Sequence, residues 1–193
     1  VDENVVVELL LNKKDKDFPD VALVVSDVEN LKRNLLLFTQ IKDLNIPTIL
    51  VINMSDLMRR KGIRIDTHKM ELLLHAKVVL VSARKNVGID VLKEHISAYK
   101  TISTKACLDI KQIDEDYFGS QERIFPNQSL YKLWLVITQD VNFAKIERKR
   151  MEAEDANHLR SSSFLKRLQQ KETIKRYQFI NSVLKDCYVK DSS

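Results

Sequence analysis

Glycine and proline are scarce in this chain, three of each in 193 residues. Cysteine is scarcer still. Cys107 and Cys187 lie far apart in no metal-like spacing, so they read as free thiols of a reducing compartment. Long hydrophobic runs are missing too. None approaches the roughly 20 apolar residues that span a bilayer, and no signal peptide is expected. Excess charge of one sign is modest, +5 overall. That is compatible with an anionic partner without demanding one, and a dedicated nucleic-acid binder clusters its charge more strongly. The matches to the glycosylation pattern at Asn53-Met-Ser and Asn127-Gln-Ser are the kind that chance supplies, and the compartment argues against their use.

What is present is a globular composition, 44% hydrophobic and 31% charged. The length suits one large domain or two small ones. A first residue of Val rather than Met is expected of a piece of a longer protein. Three short runs, "DVALVVS" (20–26), "TILVI" (48–52) and "VVLV" (78–81), are strand-length and rich in β-branched residues. They are apolar on both faces, as in a buried parallel strand. Helical patterns lie between and after them. Leu31 to Leu44 stops near Asn45-Ile-Pro47, Asp66 to Leu74 has Asp66 as its N-cap, and Gly88 to Tyr99 is amphipathic. The alternation predicts right-handed βαβ crossovers and an α/β sheet. Three strands leave raw edges, which strands upstream of Val1 would naturally complete.

Beyond about Lys100 the sequence offers no convincing strand. Asn127 to Asp140, Phe143 to Ala156, His158 to Gln170 and Glu172 to Cys187 read as four helices. The expected fold is therefore part of an α/β domain over 1–100 followed by an all-α helical domain over 101–193.

The stretch "TILVINMSDLMRRKGIRID" (48–66) asks why an apolar strand should end in Asn-x-x-Asp. In an open α/β sheet, ligands sit beyond the C-terminal ends of the strands. Asp27 and Asn30 follow the first strand, Asn53 and Asp56 the second, and Ser82-Ala83-Arg84 the third, so all three clusters belong on one rim. An Asp carboxylate accepts from both N1–H and N2–H₂ of guanine, a geometry adenine cannot offer. Asn both donates and accepts, and can tie neighbouring loops together. A Ser-Ala-x turn leaves backbone N–H groups for the guanine O6.

Asn53-Met54-Ser55-Asp56 resembles the base-recognition motif of GTPases, and Ser82-Ala83-Arg84 resembles their supporting Ser-Ala-x motif. The general pattern has Lys where this chain has Met54, a departure typical of the ferrous iron transporter FeoB family. From Val5 to Ile96 the chain resembles the back half of a FeoB G domain. "ETIKRYQFINSVL" (172–184) resembles the end of that family's cytosolic helical domain, just before its membrane domain. The resemblance implies GTP or GDP as ligand, with Asp56 selecting guanine, Asn53 contacting base and loop, Met54 over the base face, and Ala83 donating to O6. Ser82 is expected to hold its turn and Arg84 to face solvent. It also implies a bacterial membrane Fe²⁺ transporter as the parent, with this part at the cytoplasmic face of the inner membrane and partnered by its own membrane domain. The piece itself is expected to be soluble.

The phosphate-binding loop, G-x-x-x-x-G-K-S/T, is absent, as are the first switch threonine and the D-x-P-G motif. Asp116-Tyr-Phe-Gly119 fits D-x-x-G but falls after the base motif, and is a chance match. Without the loop nothing cradles the β- and γ-phosphates or holds Mg²⁺. No catalytic residue and no metal site are therefore assigned here, no GTP hydrolysis is expected of these residues alone, and Mg²⁺ belongs to the longer parent.

Other features have plainer readings. Asp27 and Asn30 suit capping. His68 and His75 would share a helix face but lack a third ligand. Asp155-x-x-His158 is one copy of a di-iron spacing without a partner helix. "KIERKR" (145–150) is expected to be a solvated helix face, with anionic lipid a weak second use. Tyr131, Trp134 and Leu135 read as helical core. Two competitors stand beside the GTP-binding module: an interaction or structural module with a degenerate, nucleotide-free G fold, and a basic nucleic-acid binder. The second needs aromatics interleaved with basic residues, an arrangement the sequence lacks. Exposed sheet edges would allow a dimer of the isolated piece.

Overall fold

The computed structural model describes residues 3–54, 56–139, 145, 148–151 and 162–190. The chain forms two compact units. One is Asp20–Leu108 with Arg176–Ser193, and the other is Val1–Pro19 with Asp109–Lys175. In chain order the elements are α1 (Glu3–Leu11), β1 (Ala22–Asp27), α2 (Leu31–Asp43), β2 (Thr48–Asn53), α3 (Asp56–Arg60), β3 (Ile63–Ile65), α4 (Thr67–Leu74), β4 (Lys77–Val81), α5 (Ile89–Ser97), α6 (Glu115–Ile124), α7 (Leu130–Thr138), α8 (Ser162–Cys187) and β5 (Tyr188–Lys190).

The three expected strands form a parallel sheet in the order β1-β2-β4. β2 is central, and Ile49, Leu50, Val51 and Ile52 are all buried, which explains its unbroken apolar run. On one face Ile49, Val51, Val79 and Val81 pack with Ile89, Leu92 and Ile96 of α5. α2 lies against β1 and β2 and buries Leu31, Leu35, Phe38 and Ile41 at helical spacing. The register puts Leu23 and Val25 of β1 level with Ile49 and Val51, yet those two are 43% and 63% exposed. The raw edge read from the sequence is therefore apolar as well as unpaired among the described strands.

The end of α2 is fastened by buried charge. Lys42 Nζ donates to the carbonyls of Ser103 and Lys105, both at 2.7 Å. Asp43 accepts from the Cys107 amide at 2.6 Å and the Leu108 amide at 3.4 Å. Asn45 Nδ2 donates to the Thr104 carbonyl at 2.9 Å. Arg176 of α8 pairs with Asp43 at 2.8 Å, each side chain only 1% exposed. An extended stretch with no ladder of its own thus finds partners for its backbone groups in side chains. Burial holds Lys42 below its ordinary pKa. It raises Asp43 above the usual carboxylate range, against the downward pull of Arg176 and the two amides.

Three sequence expectations are corrected here. A strand does exist beyond residue 100, since β5 pairs antiparallel with β3, another strand the pattern reading missed. Each is only three residues long, too short to carry an alternation signal. His158 to Gln170 and Glu172 to Cys187 are not two helices at their junction: α8 runs unbroken over 26 residues because no glycine or proline interrupts it. Asp116 to Gly119, the chance D-x-x-G match, lies inside α6, a helix not anticipated; Asp114 caps it by accepting from the Tyr117 amide at 2.9 Å.

In the second unit the described elements are helical. Tyr117, Phe118 and Trp134 meet edge-to-face, with centroids 5.0 to 6.3 Å apart, and Phe164 joins them. Tyr131 and Trp134 are core as expected, with Leu135 half-buried. Most of the helix expected over Phe143 to Ala156, and Asp155 with His158, lie outside the described residues. Within the basic run, Lys145, Lys149 and Arg150 are exposed. Arg148 departs from the solvated reading and donates to the Val136 and Gln139 carbonyls, closing the C-terminus of α7. Among the described residues no helix is long and apolar enough to cross a membrane.

Candidate functional site

Parallel register aligns the strand ends. Asp27 pairs with Asn53, and Asn53 with Val81, so the residues that follow β1, β2 and β4 emerge along one rim. The three clusters behave differently there.

At β1, the polar groups satisfy one another. Asp27 Oδ1 accepts from the Asn30 amide at 2.8 Å and from Asn30 Nδ2 at 2.9 Å. Asn34 Nδ2 donates to Ser26 Oγ at 3.0 Å, and that hydroxyl donates to the Asp27 carbonyl at 2.7 Å. Asn30 occupies the N-cap position of α2, but its side chain makes no cap bond. The capping expectation is not met at either residue: Asp27 bonds Asn30 itself, closing the turn before α2, and no side chain caps the helix. This corner is a closed turn, not an open ligand.

The β2 and β4 corners are joined. Asn53, half-buried at the end of β2, accepts through Oδ1 from the Ala83 amide at 3.3 Å. The Met54 amide donates to the Val81 carbonyl at 2.6 Å, so the turn after β2 continues the sheet's bonding to β4. Ser82 is buried. Its amide donates to the Val87 carbonyl, while its own carbonyl accepts from Lys85 and Val87. The Ser82 backbone thus closes this turn. The loop closes through Asn86 at φ +53 and Gly88 at φ +80. A Cβ on Gly88 would stand 2.3 Å from the Leu80 carbonyl oxygen, so only glycine fits this return. Gly88 and Asn86 are the loop-closing positions that motif reading missed; the spacing Asn-x-Gly just after Ser-Ala-Arg-Lys was their signal.

Asn53, Met54, Ser82 and Ala83 are thus brought together, and Arg84 is exposed beside them on the same short 3-10 turn. Asp56 begins α3, three residues beyond the strand end; Ser55 and the Asp56 side chain lie outside the described part of the structure. The Ala83 amide is not idle, as a free-turn reading supposed. It is held by Asn53 at the long end of hydrogen-bond range, so an incoming oxygen would replace a weak bond. Asn53 then retains an amide group able to donate and accept.

A groove of about 430 Å³ lies elsewhere in this unit, lined by His68, Glu71, His75, Lys77, Thr101 and Ser103 among others. His75 ends α4 in the left-handed region, so the two histidines do not share a continuous helix face. Burial, Lys105 and Lys42 lower its pKa. Glu71 Oε2 already accepts from the Val78 amide. Among the described residues no group of three or more His, Cys, Asp or Glu could hold a metal ion.

Comparison with known proteins agrees with this geometry. The model of the family described as ferrous iron transport protein B matches residues 1–96. The Fe(2+) transporter FeoB of Leptospira biflexa is 30% identical over 164 residues, 85% of this chain, but the chain spans only 22% of that protein's length. The crystal structure of the cytosolic domain of the T. maritima FeoB iron transporter in apo form superposes with a TM-score of 0.80, at 18% identity, over 98% of this chain and 74% of that one. The same domain in a GDP form gives a TM-score of 0.80, at 21% identity, over 97% of this chain and 74% of that one. The parallel sheet with its flanking helices matches the G domain of those structures. The chain belongs to the ferrous iron transport protein B (FeoB) family, as a partial chain of it.

Proposed function

We propose that this chain is the base-recognising half of a guanine-nucleotide-binding G domain, with a helical regulatory domain, in a Fe²⁺ transporter. The observation that carries the reading is the Asn53 Oδ1 to Ala83 N–H bond. It joins an Asn-x-x-Asp turn to a Ser-Ala-Arg turn at the C-terminal ends of adjacent parallel strands, where α/β sheets bind ligands. In this reading Asp56 accepts from guanine N1–H and N2–H₂. Asn53 contacts base and loop, Met54 covers the base face, and Ala83 N–H turns from Asn53 to O6. Ser82 holds the turn, and Arg84 borders it. The T. maritima domains solved with GDP and with GMPPNP support a guanine ligand.

Residues 1–100 would serve as the G-domain part and 101–193 as the helical part. The phosphate cradle and Mg²⁺ site would come from a segment upstream, so hydrolysis is assigned to the longer protein and not to these residues. Nucleotide state is read as tuning Fe²⁺ passage through a membrane domain of the same polypeptide, at the cytoplasmic face of the inner membrane. The apolar, unpaired edge of β1 supports completion by upstream strands, and allows a dimer of the isolated piece. The competing reading is an interaction module with a nucleotide-free G fold.

Titration calorimetry separates them, using this chain and a version extended upstream to the length of its relatives' cytosolic domains. The extended protein is expected to bind GDP, and this chain alone not to. Asp56→Asn in the extended protein is expected to shift preference toward xanthosine diphosphate. Equal affinity for GDP and ADP would leave Asn53 and Asp56 as turn residues and favour the interaction module.

A further inference from the structure

A run of positive charge lies beyond the rim, and the guanine reading makes no use of it. Leu57 to Ile65 holds four cations, Arg59, Arg60, Lys61 and Arg64, and no acidic residue. Buried side chains anchor it on both sides, Met58 in α3 and Ile65 in β3. Between them the chain turns tightly: Gly62, at φ +59, donates its amide to the Arg59 carbonyl at 3.2 Å. All four cations are exposed. The negative end of a helix favours cations in its last turn, which accounts for Arg59 and Arg60 but not for Lys61 and Arg64 beyond it. β3 then pairs antiparallel with β5, and the register sets Arg64 opposite Val189 on one face of the ribbon. Val189 is 41% exposed and Tyr188 39%. The described acids that flank this region are Asp66 and Asp186. The Asp66 carboxylate accepts from the Lys69 amide at the start of α4, and Asp186 is followed in sequence by buried Cys187 and preceded by exposed Lys185. The result is an anchored positive tip bordered by exposed apolar surface.

We propose that this tip docks on the anionic headgroups of a lipid bilayer, through Arg59, Arg60, Lys61 and Arg64 with Val189 and Tyr188 beside them. Charge complementarity carries the choice of partner. A compact group of four or more Lys and Arg is attracted to an anionic leaflet, and each charge acts within a Debye length of about 8 Å. Long basic side chains keep their charged heads at headgroup level while their stems cover apolar surface, and tyrosine suits the same layer. The buried anchors Met58 and Ile65 fix the turn beforehand, so docking orders little backbone. A nucleic acid is the poorer fit, because no aromatic residue stands among the four cations to stack a base. The inference rests on the reading above in one respect. A membrane domain of the same polypeptide would hold β5 near the bilayer, and such tethering makes a weak contact effective. Nucleotide plays no part in it.

The test is sedimentation of this chain with vesicles, in the absence of nucleotide. The probes are vesicles of equal parts phosphatidylglycerol and phosphatidylcholine, and vesicles of phosphatidylcholine alone. The chain is expected to bind the anionic vesicles and not the neutral ones, and to be released as salt rises. Arg59→Gln, Arg60→Gln and Lys61→Gln together should weaken binding roughly a hundred-fold, at about five-fold for each charge removed. Lys166→Gln, Lys171→Gln and Lys175→Gln together make the same change in net charge at exposed positions of α8, and should cost less than about ten-fold. If the first triple variant fails to fold, Lys61→Gln alone decides by its five-fold loss. Equal losses from the two triple variants would reduce the effect to net charge and overturn the proposal. Absence of binding to the anionic vesicles would overturn it too, and tighter binding of the same cations to polyuridylate would assign the tip to nucleic acid instead. The GDP titration stands apart from all of these outcomes, so the guanine site and the lipid contact fail separately.

Discussion

Replacing Arg176 by Met tests whether buried charge holds the end of α8. In the structure Asp43 has three partners: Arg176 at 2.8 Å and the amides of Cys107 and Leu108. Methionine fills much of the volume but removes the only opposing charge bonded to the carboxylate among the contacts described. The remaining amides do not compensate an ionised group that is 2% exposed. Breaking a buried pair in this way costs about 3–5 kcal/mol. For a chain of this size that corresponds to a fall in Tm of roughly 10 °C. The pH dependence follows from the direction of the Asp43 shift. Its folded pKa already lies above the unfolded value of 3.8, because burial outweighs Arg176 and the amides. Without Arg176 it rises further. Where the folded pKa is the higher one, the folded state binds the proton more readily, so stability falls as pH rises through that window. The variant should therefore lag most at neutral pH and recover toward the unaltered protein as pH falls toward 3.8. Adding Asp43→Asn, which removes the stranded charge, should recover part of the loss at neutral pH. Urea unfolding across that range is the assay. A deficit below about 1 kcal/mol, or one that does not change with pH, would refute the reasoning.

Further outcomes are expected. Gly88→Ala should destabilise by about 2 kcal/mol or more, since it combines φ +80 with a Cβ 2.3 Å from the Leu80 oxygen; thermal unfolding checks this, and an unchanged Tm would mean that the loop relaxes freely. Burial and Asp43 push the Cys107 thiol up to about 12, and burial also raises Cys187. Both should resist thiol reagents at pH 8 and react only on unfolding; fast labelling of the native protein would contradict that. In the extended protein, Asp56→Asn should exchange guanine for xanthine preference, and titration with both diphosphates checks it.

Sequence pattern was sufficient wherever a signal was local. The parallel strands announced themselves because strands buried on both faces must be apolar throughout, and 22–27, 48–53 and 77–81 are close to the expected spans. The Asp66 cap and the end of α2 before Pro47 rest on the chemistry of one or two residues. Asn53, Ser82 and Ala83 were legible because strand-end position and side-chain chemistry together define a rim. What local signals could not supply was partnership across long separations. Arg176 reads as one more cation on a charged helix until folding brings it to Asp43, 133 residues away. Lys42 looks solvent-bound until two carbonyls of a later segment surround it. β3 and β5 have no pattern of their own, and each is a strand only because the other lies beside it. By itself the sequence determined the three parallel strands, the helices between them and which residues would stand at the strand ends. Tertiary structure alone decided which buried charges pair and which strand lies beside the segment after the last helix, because those bonds depend on distances that no run of neighbouring residues encodes.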